Sequence, residues 1–103
     1  MEKEQLAIWT IEQDMLDLIG LAEADDEEAA AHSDFILGEI FMAARLGAIS
    51  EDNEIVYTVA VHKLLGDQVE APTKELEARA FCLADSLEEA FEEMRENEEE
   101  ADY

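Results

Sequence analysis

Residues 50–66 read SEDNEIVYTVAVHKLLG, and their conformation determines the fold class of the chain. The β-branched run at 55–61 favours a strand by intrinsic propensity. Ser50, however, is a good helix N-cap ahead of three acidic residues, and Gly66 is a good C-terminal cap. A lone strand would also lack a second strand to pair with. We therefore predict a helix, with a strand as the alternative, because tertiary context often overrides propensity.

Three further segments are predicted to be helical. In the first, residues 2–21, apolar side chains recur at helical spacing, and Gly20 is expected to mark its end. The second begins at the acidic cluster 25–28, which suits the positive end of a helix dipole. Its run 35–49 is apolar around much of the circumference, which is typical of a central helix or of one buried in an interface. The fourth follows Pro72, with Thr73 as its N-cap.

These four segments with short links predict an all-α fold, a compact bundle of about four helices. The length of 103 residues suits a single domain, which we place at residues 1–97. Residues 98–103 are predicted to form an acidic C-terminal tail. Nearly half of the residues are apolar, so the chain does not have the composition of a disordered acidic protein.

The charge balance is extreme, with 29 Asp and Glu against six Lys and Arg and a formal net charge of −23. Repulsion of this size opposes compaction. Three explanations suit it: recognition of a basic partner, imitation of a polyanion, or a salty cytoplasm that screens the repulsion. Six scattered cations do not suit direct nucleic-acid binding. No apolar run approaches the ~18 residues of a membrane span, and no signal peptide is recognisable, so we expect a cytoplasmic protein.

Side chains for catalysis or for a cofactor are sparse. Cys82 has apolar neighbours and is expected to be a buried, inert thiol. The two histidines, His32 and His62, lack the preceding Glu of a Glu-x-x-His metal motif, although Glu28 and His32 would share a helix face. There is no nucleophile elbow and no Gly-rich phosphate loop. We therefore predict no enzyme activity, no catalytic residue, no metal and no cofactor.

The carboxylates of the fourth segment form two ladders, Asp85-Glu89-Glu93 and Glu88-Glu92-Glu96. Residues four apart on a helix are separated by about 6 Å along its axis, close to the spacing of phosphates along a DNA strand. Like charges at this spacing destabilise a helix, so folding does not require them. The simpler interpretation is a solvated helix face. The candidate partner-binding residues are Asp85, Glu88, Glu89, Glu92, Glu93 and Glu96, then Asp14, Asp17, Asp25 and Asp26.

The chain resembles the small acidic DNA mimics of phages and mobile elements, such as the overcome-restriction type. The resemblance lies in the character of the last third, from Pro72-Thr73-Lys74-Glu75 through residues 87–93 to the terminal glutamates. It implies an inhibitor whose surface glutamates, as a group, occupy the DNA-binding groove of a restriction enzyme, a CRISPR effector or a similar protein.

Two other functions are compatible with the sequence. An acidic chaperone or immunity protein would neutralise one basic protein, using carboxylates together with an apolar patch. A halophilic helical domain would need no partner. For a DNA mimic, the apolar run 35–49 could also support a homodimer, which would lengthen the carboxylate array.

Overall fold

Residues 50–66 form a helix and its two caps in the computed structural model, which describes the backbone of residues 2–101 and the side chains of residues 2–97. The described chain consists of four helices and no strand: α1 (Lys3–Ala24), α2 (Asp26–Arg45), α3 (Glu51–Leu64) and α4 (Lys74–Ala101). The predicted all-α, four-helix fold is confirmed. The side chains of the predicted acidic tail, 98–103, lie outside the described residues.

The caps of α3 and the N-cap of α4 are those that the sequence predicts. Ser50 Oγ accepts a hydrogen bond from the Asn53 amide at 3.1 Å and begins α3. Gly66 has a φ of +83° just beyond the end of that helix, a conformation that favours glycine. Thr73 Oγ1 accepts from the Leu76 amide at 3.2 Å and begins α4. These local signals outweigh the strand propensity of residues 55–61 because the β-branched side chains also fill the core.

The core lies where the four helices meet. Only Asp25 separates α1 from α2, so these two helices pack as a hairpin, and α3 and α4 cover it. The largest fully buried side chains come from the first three helices: Ile11, Met15, Leu18, Ile36, Ile40 and Val61. α4 contributes Leu76, Ala80, Ala84 and Leu87 at steps of three and four residues.

The second helix is buried on one side only. Ile36 and Ile40 are in the core, whereas Phe35, Met42 and Leu46 are all more than half exposed. Of the two expectations for the run 35–49, a central position in the fold is therefore wrong for this single chain, whereas burial in an interface stays a prediction. Its outward apolar side chains form an uncovered strip on the surface.

Gly20 does not end α1, contrary to the sequence prediction, because it serves the packing between two helices. The helix continues through it to Ala24. A Cβ atom at Gly20 would lie 3.3 Å from Cε2 of Phe91 on α4. The absence of a side chain thus allows the Phe91 ring to pack directly on the α1 backbone.

A matched pair of glycine substitutions tests this packing. Gly20→Gln should lower the free energy of unfolding by about 1–2 kcal/mol, because the new side chain must displace the Phe91 ring. Gly38, in the middle of α2, has no atom within 4 Å of an added Cβ. Gly38→Gln should therefore raise stability by about 0.5–1 kcal/mol through helix propensity alone. Urea denaturation measures both, and equal changes at the two positions would contradict the assignment.

Candidate acidic binding groove

A groove of about 800 Å³ lies along α4, where α1 and α3 approach it. Six carboxylates line it, together with three apolar side chains. We call it the acidic groove; its residues are Glu23, Asp85, Glu88, Glu89, Glu92 and Glu93, with Ile19, Ala22 and Leu64.

Five of the six predicted ladder residues on α4 line the acidic groove. At 100° per residue, Asp85, Glu88, Glu89, Glu92 and Glu93 fall within an arc of about 140° on the helix. They therefore face the same way, with Ala84 and Leu87 on the buried side. Glu96 is exposed one turn further along and does not line the groove.

Some groove carboxylates are compensated within the chain. Arg95 pairs with Glu23 and, at 3.6 Å, with Glu92, while its guanidinium lies 4.8 Å from the centre of the Phe91 ring. Lys63 Nζ lies 3.4 Å from Asp85 Oδ1. These pairs are partly exposed, so each contributes little to stability.

The remaining three groove carboxylates, Glu88, Glu89 and Glu93, have no such cation among the described side chains. Among residues 2–97, no Lys or Arg lies within ion-pairing distance of them. We call them the unpaired carboxylates. They sit on consecutive turns of α4 and are exposed, so an incoming cation can reach all three.

Glu23 belongs to the acidic groove but was not among the predicted site residues. The sequence interpretation ended the first helix near Gly20, which left Glu23 in a link. Because α1 continues to Ala24, Glu23 instead faces α4 and pairs with Arg95. The sequence does contain one indication that Glu23 belongs to the first helix: it follows Ile19 by four residues, which is the spacing of neighbours on one helix face.

Asp14 and Asp17 are predicted partner-binding residues that lie away from the groove. Asp14 and Glu23 are nine residues apart, which puts them on opposite sides of α1. One ligand atom from each of Asp14, Asp17 and His32 lies within 4.8 Å of the others. The structure thus separates Asp14 and Asp17 from the carboxylates of the acidic groove.

Glu39 adjoins this second group and is partly buried. Desolvation raises its pKa to about 7, and the neighbouring Asp14 contributes through a side-chain hydrogen bond and charge repulsion. The Glu39 Oε1 atom is buried without a hydrogen-bond partner among the described residues. We refer to Asp14, Asp17, His32 and Glu39 as the Asp14 cluster.

Asp25 and Asp26 occupy the turn between α1 and α2. Asp25 Oδ1 accepts hydrogen bonds from the amides of Glu27 and Glu28 at 3.0 and 3.3 Å, as an N-cap does. Asp26 is exposed in the first turn of α2, beside the positive end of the helix dipole. Both carboxylates therefore have local roles at the helix start, and neither lines the acidic groove.

Cys82 is exposed on α4, which corrects the expectation of a buried thiol. Its apolar neighbours in sequence point elsewhere on the helix, and its own position faces a shallow depression beside Arg79. None of the helices in the described part of the chain has the length and hydropathy of a membrane span.

The melting temperature should rise with salt, because repulsion among the acids opposes folding. Raising the ionic strength from about 0.01 to about 1 M shortens the screening length from ~30 to ~3 Å. Calorimetry across this range measures the effect. A protein that is folded at about 0.1 M NaCl needs no salt-rich cytoplasm, whereas one that is unfolded below about 1 M would be a halophilic domain.

No protein-family model, no curated protein and no solved structure matches this chain.

Proposed function

We propose that the protein is an inhibitor that imitates DNA and occupies the basic DNA-binding groove of another protein, such as a restriction or CRISPR factor. The observation that carries this proposal is the set of unpaired carboxylates on one face of α4. Their charge is free to pair with Lys and Arg of a partner. The surrounding negative field would also accelerate the encounter.

The spacing of the carboxylates supports imitation of a phosphate row. Glu89 and Glu93 are one turn apart, about 6 Å along the helix axis, and Glu88 and Glu92 repeat that step. A rigid helix presents these groups without further ordering, so little conformational entropy is lost on binding. The protein would act by steric occlusion in the cytoplasm, with no catalysis and no cofactor.

A second candidate function is the neutralisation of one basic protein by an acidic chaperone or immunity protein. The observation in its favour is the apolar wall of the acidic groove, formed by Ile19, Ala22 and Leu64. Carboxylates beside an apolar wall suit a basic amphipathic helix, whose apolar side would enter the groove. In the DNA-binding groove of a partner protein, an apolar wall of this kind would contribute less to binding.

Competition with DNA distinguishes the two functions. The immobilised protein would capture partners from a bacterial lysate at low salt, and each purified partner would then be challenged with duplex DNA. For a DNA mimic we expect the partner to be a DNA-binding protein and DNA to displace it. A partner that DNA does not displace supports the second candidate. Recovery of no basic partner would overturn both.

We further propose that two copies pair through the exposed apolar strip of α2. Phe35, Met42 and Leu46 are each more than half exposed and lie along one side of the helix and its C-terminal end, with Arg45 as a neighbouring cation. Pairing on this strip would cover apolar surface and lengthen the acidic array. Sedimentation equilibrium should give a dimer that Met42→Glu dissociates; a wild-type monomer at micromolar concentration would contradict this.

A further inference from the structure

The Asp14 cluster brings an imidazole and carboxylates together from two helices. Asp14 and Asp17 are one turn apart on α1, and His32 projects from α2 beside them. One ring nitrogen of His32 and one oxygen from each aspartate lie within 4.8 Å of one another. Such a set of one nitrogen and two oxygen donors suits a divalent first-row metal ion.

His32 is held in place by contacts that leave one ring nitrogen available. Its Nε2 atom lies 3.0 Å from the backbone carbonyl oxygen of Asp14. A carbonyl can only accept, so Nε2 carries the hydrogen, and in the neutral ring the lone pair is on Nδ1. The ring also stacks on Phe35, with centroids 6.0 Å apart. Histidine ligands of metals are commonly oriented by a hydrogen bond of this kind.

The distances require only a small closure. With Zn–N and Zn–O bonds of about 2.0–2.2 Å, the ligand atoms of a tetrahedral site lie about 3.4 Å apart. Because the present separations do not exceed 4.8 Å, each side chain would need to move by no more than about an ångström.

We propose that Asp14, Asp17 and His32 bind one divalent transition-metal ion, of which Zn²⁺ is the best match, with water in the remaining position. The ion would join α1 to α2 midway along their hairpin. It would also bring two positive charges to a surface crowded with carboxylates. This site is separate from the acidic groove, on the opposite side of α1, and does not depend on the proposed function.

Zinc titration of the full chain tests the site, provided that non-specific binding is suppressed. A Cys82→Ser background removes the exposed thiol as a competing ligand. About 0.5 M NaCl screens diffuse attraction to the acidic surface. Under these conditions calorimetry should give one saturable Zn²⁺ site per chain. The melting temperature should rise with Zn²⁺ because the ion binds the folded state.

Two matched pairs of variants locate the ion. His32→Gln and Asp17→Asn should each weaken Zn²⁺ binding about tenfold or more, as loss of a ligand contact does. His62→Gln and Asp34→Asn remove the other histidine and an exposed carboxylate of α2, and should leave binding within about twofold. Circular dichroism would check that each variant is folded; Asp17 is exposed, so its variant should keep the fold.

Three results of the binding experiments would overturn the proposal. These are no saturable one-to-one binding, unchanged binding in both His32→Gln and Asp17→Asn, or equal weakening in His62→Gln. In the proton NMR spectrum, Zn²⁺ should shift the imidazole resonances of His32 and leave those of His62 in place. A shift of His62 alone would also overturn it.

Discussion

Replacement of Glu88, Glu89 and Glu93 by glutamine should weaken partner binding by about 100-fold or more. Close charge pairs at protein interfaces have coupling energies of about 1.5–7 kcal/mol each. Even about 1 kcal/mol from each of three pairs amounts to two orders of magnitude in Kd. The three residues are singled out because no Lys or Arg among the described residues compensates them. Glutamine keeps the size of the side chain, so the loss would report charge.

The same triple variant should be more stable than the wild type when it is free. Glu89 and Glu93 are like charges at a spacing of four residues, as are Glu88 and Glu92. Each such pair destabilises a helix by about 0.2–0.5 kcal/mol. The melting temperature of the variant should therefore rise while its affinity falls. Opposite changes of this kind indicate residues kept for binding at a cost to folding.

A control triple with the same change in net charge separates position from charge. Asp34→Asn, Glu51→Gln and Glu70→Gln also remove three carboxylates, all of them exposed and outside the acidic groove. Isothermal titration calorimetry against a captured partner would compare the two variants. The control should lose affinity only slightly, through the weaker long-range field. Equal losses would show that bulk charge, and not the acidic groove, determines binding.

The fold was predictable because several local signals agree. Ser50, Thr73 and Asp25 are capping residues that lie at helix starts in the structure. Gly47 and Gly66 have positive φ values just beyond helix ends. The strand propensity of residues 55–61 was the one conflicting signal. The helix prevails over this propensity because those side chains pack into the core equally well from a helix.

The candidate site was predictable only in part, since its other side comes from distant parts of the chain. Helical spacing alone places the α4 ladders on one face. It cannot reveal that Gly20 receives the Phe91 ring, so the extension of α1 and the contribution of Glu23 were missed. The grouping of Asp14 with His32 likewise depends on how α1 and α2 align in the hairpin.

The side-chain contact between Tyr57 and Glu12 is another product of tertiary packing. The Tyr57 hydroxyl donates to Glu12 Oε1 at 3.0 Å and links α3 to α1. Burial raises the pKa of Tyr57 above its ordinary value, and the neighbouring Glu12 charge adds to the shift. The tyrosine therefore remains a donor at neutral pH. The sequence places these residues 45 positions apart, so no local pattern indicates the bond.

Glu39→Gln should stabilise the protein at neutral and higher pH and have little effect in acid. The pKa of Glu39 is about 7 in the folded chain, against an ordinary value of 4.5. The folded state therefore holds this proton more tightly than the unfolded state, and its ionisation disfavours folding. Wild-type stability should decline as the pH rises from about 4.5 to about 7 and level off above that range. Glutamine cannot ionise, and its amide can donate to Asp14.

Above pH 7 the expected gain from Glu39→Gln is about 1–3 kcal/mol, allowing for the partial exposure of the side chain. Urea denaturation between pH 4.5 and 8.5, in EDTA to exclude metal ions, would measure the difference between variant and wild type. Asp34→Asn removes one exposed charge from the same helix and serves as the control. Its curve should run nearly parallel to the wild type, whereas the Glu39→Gln curve should separate as the pH rises. Parallel curves for both variants would mean that Glu39 ionises normally and that burial beside Asp14 does not oppose its charge.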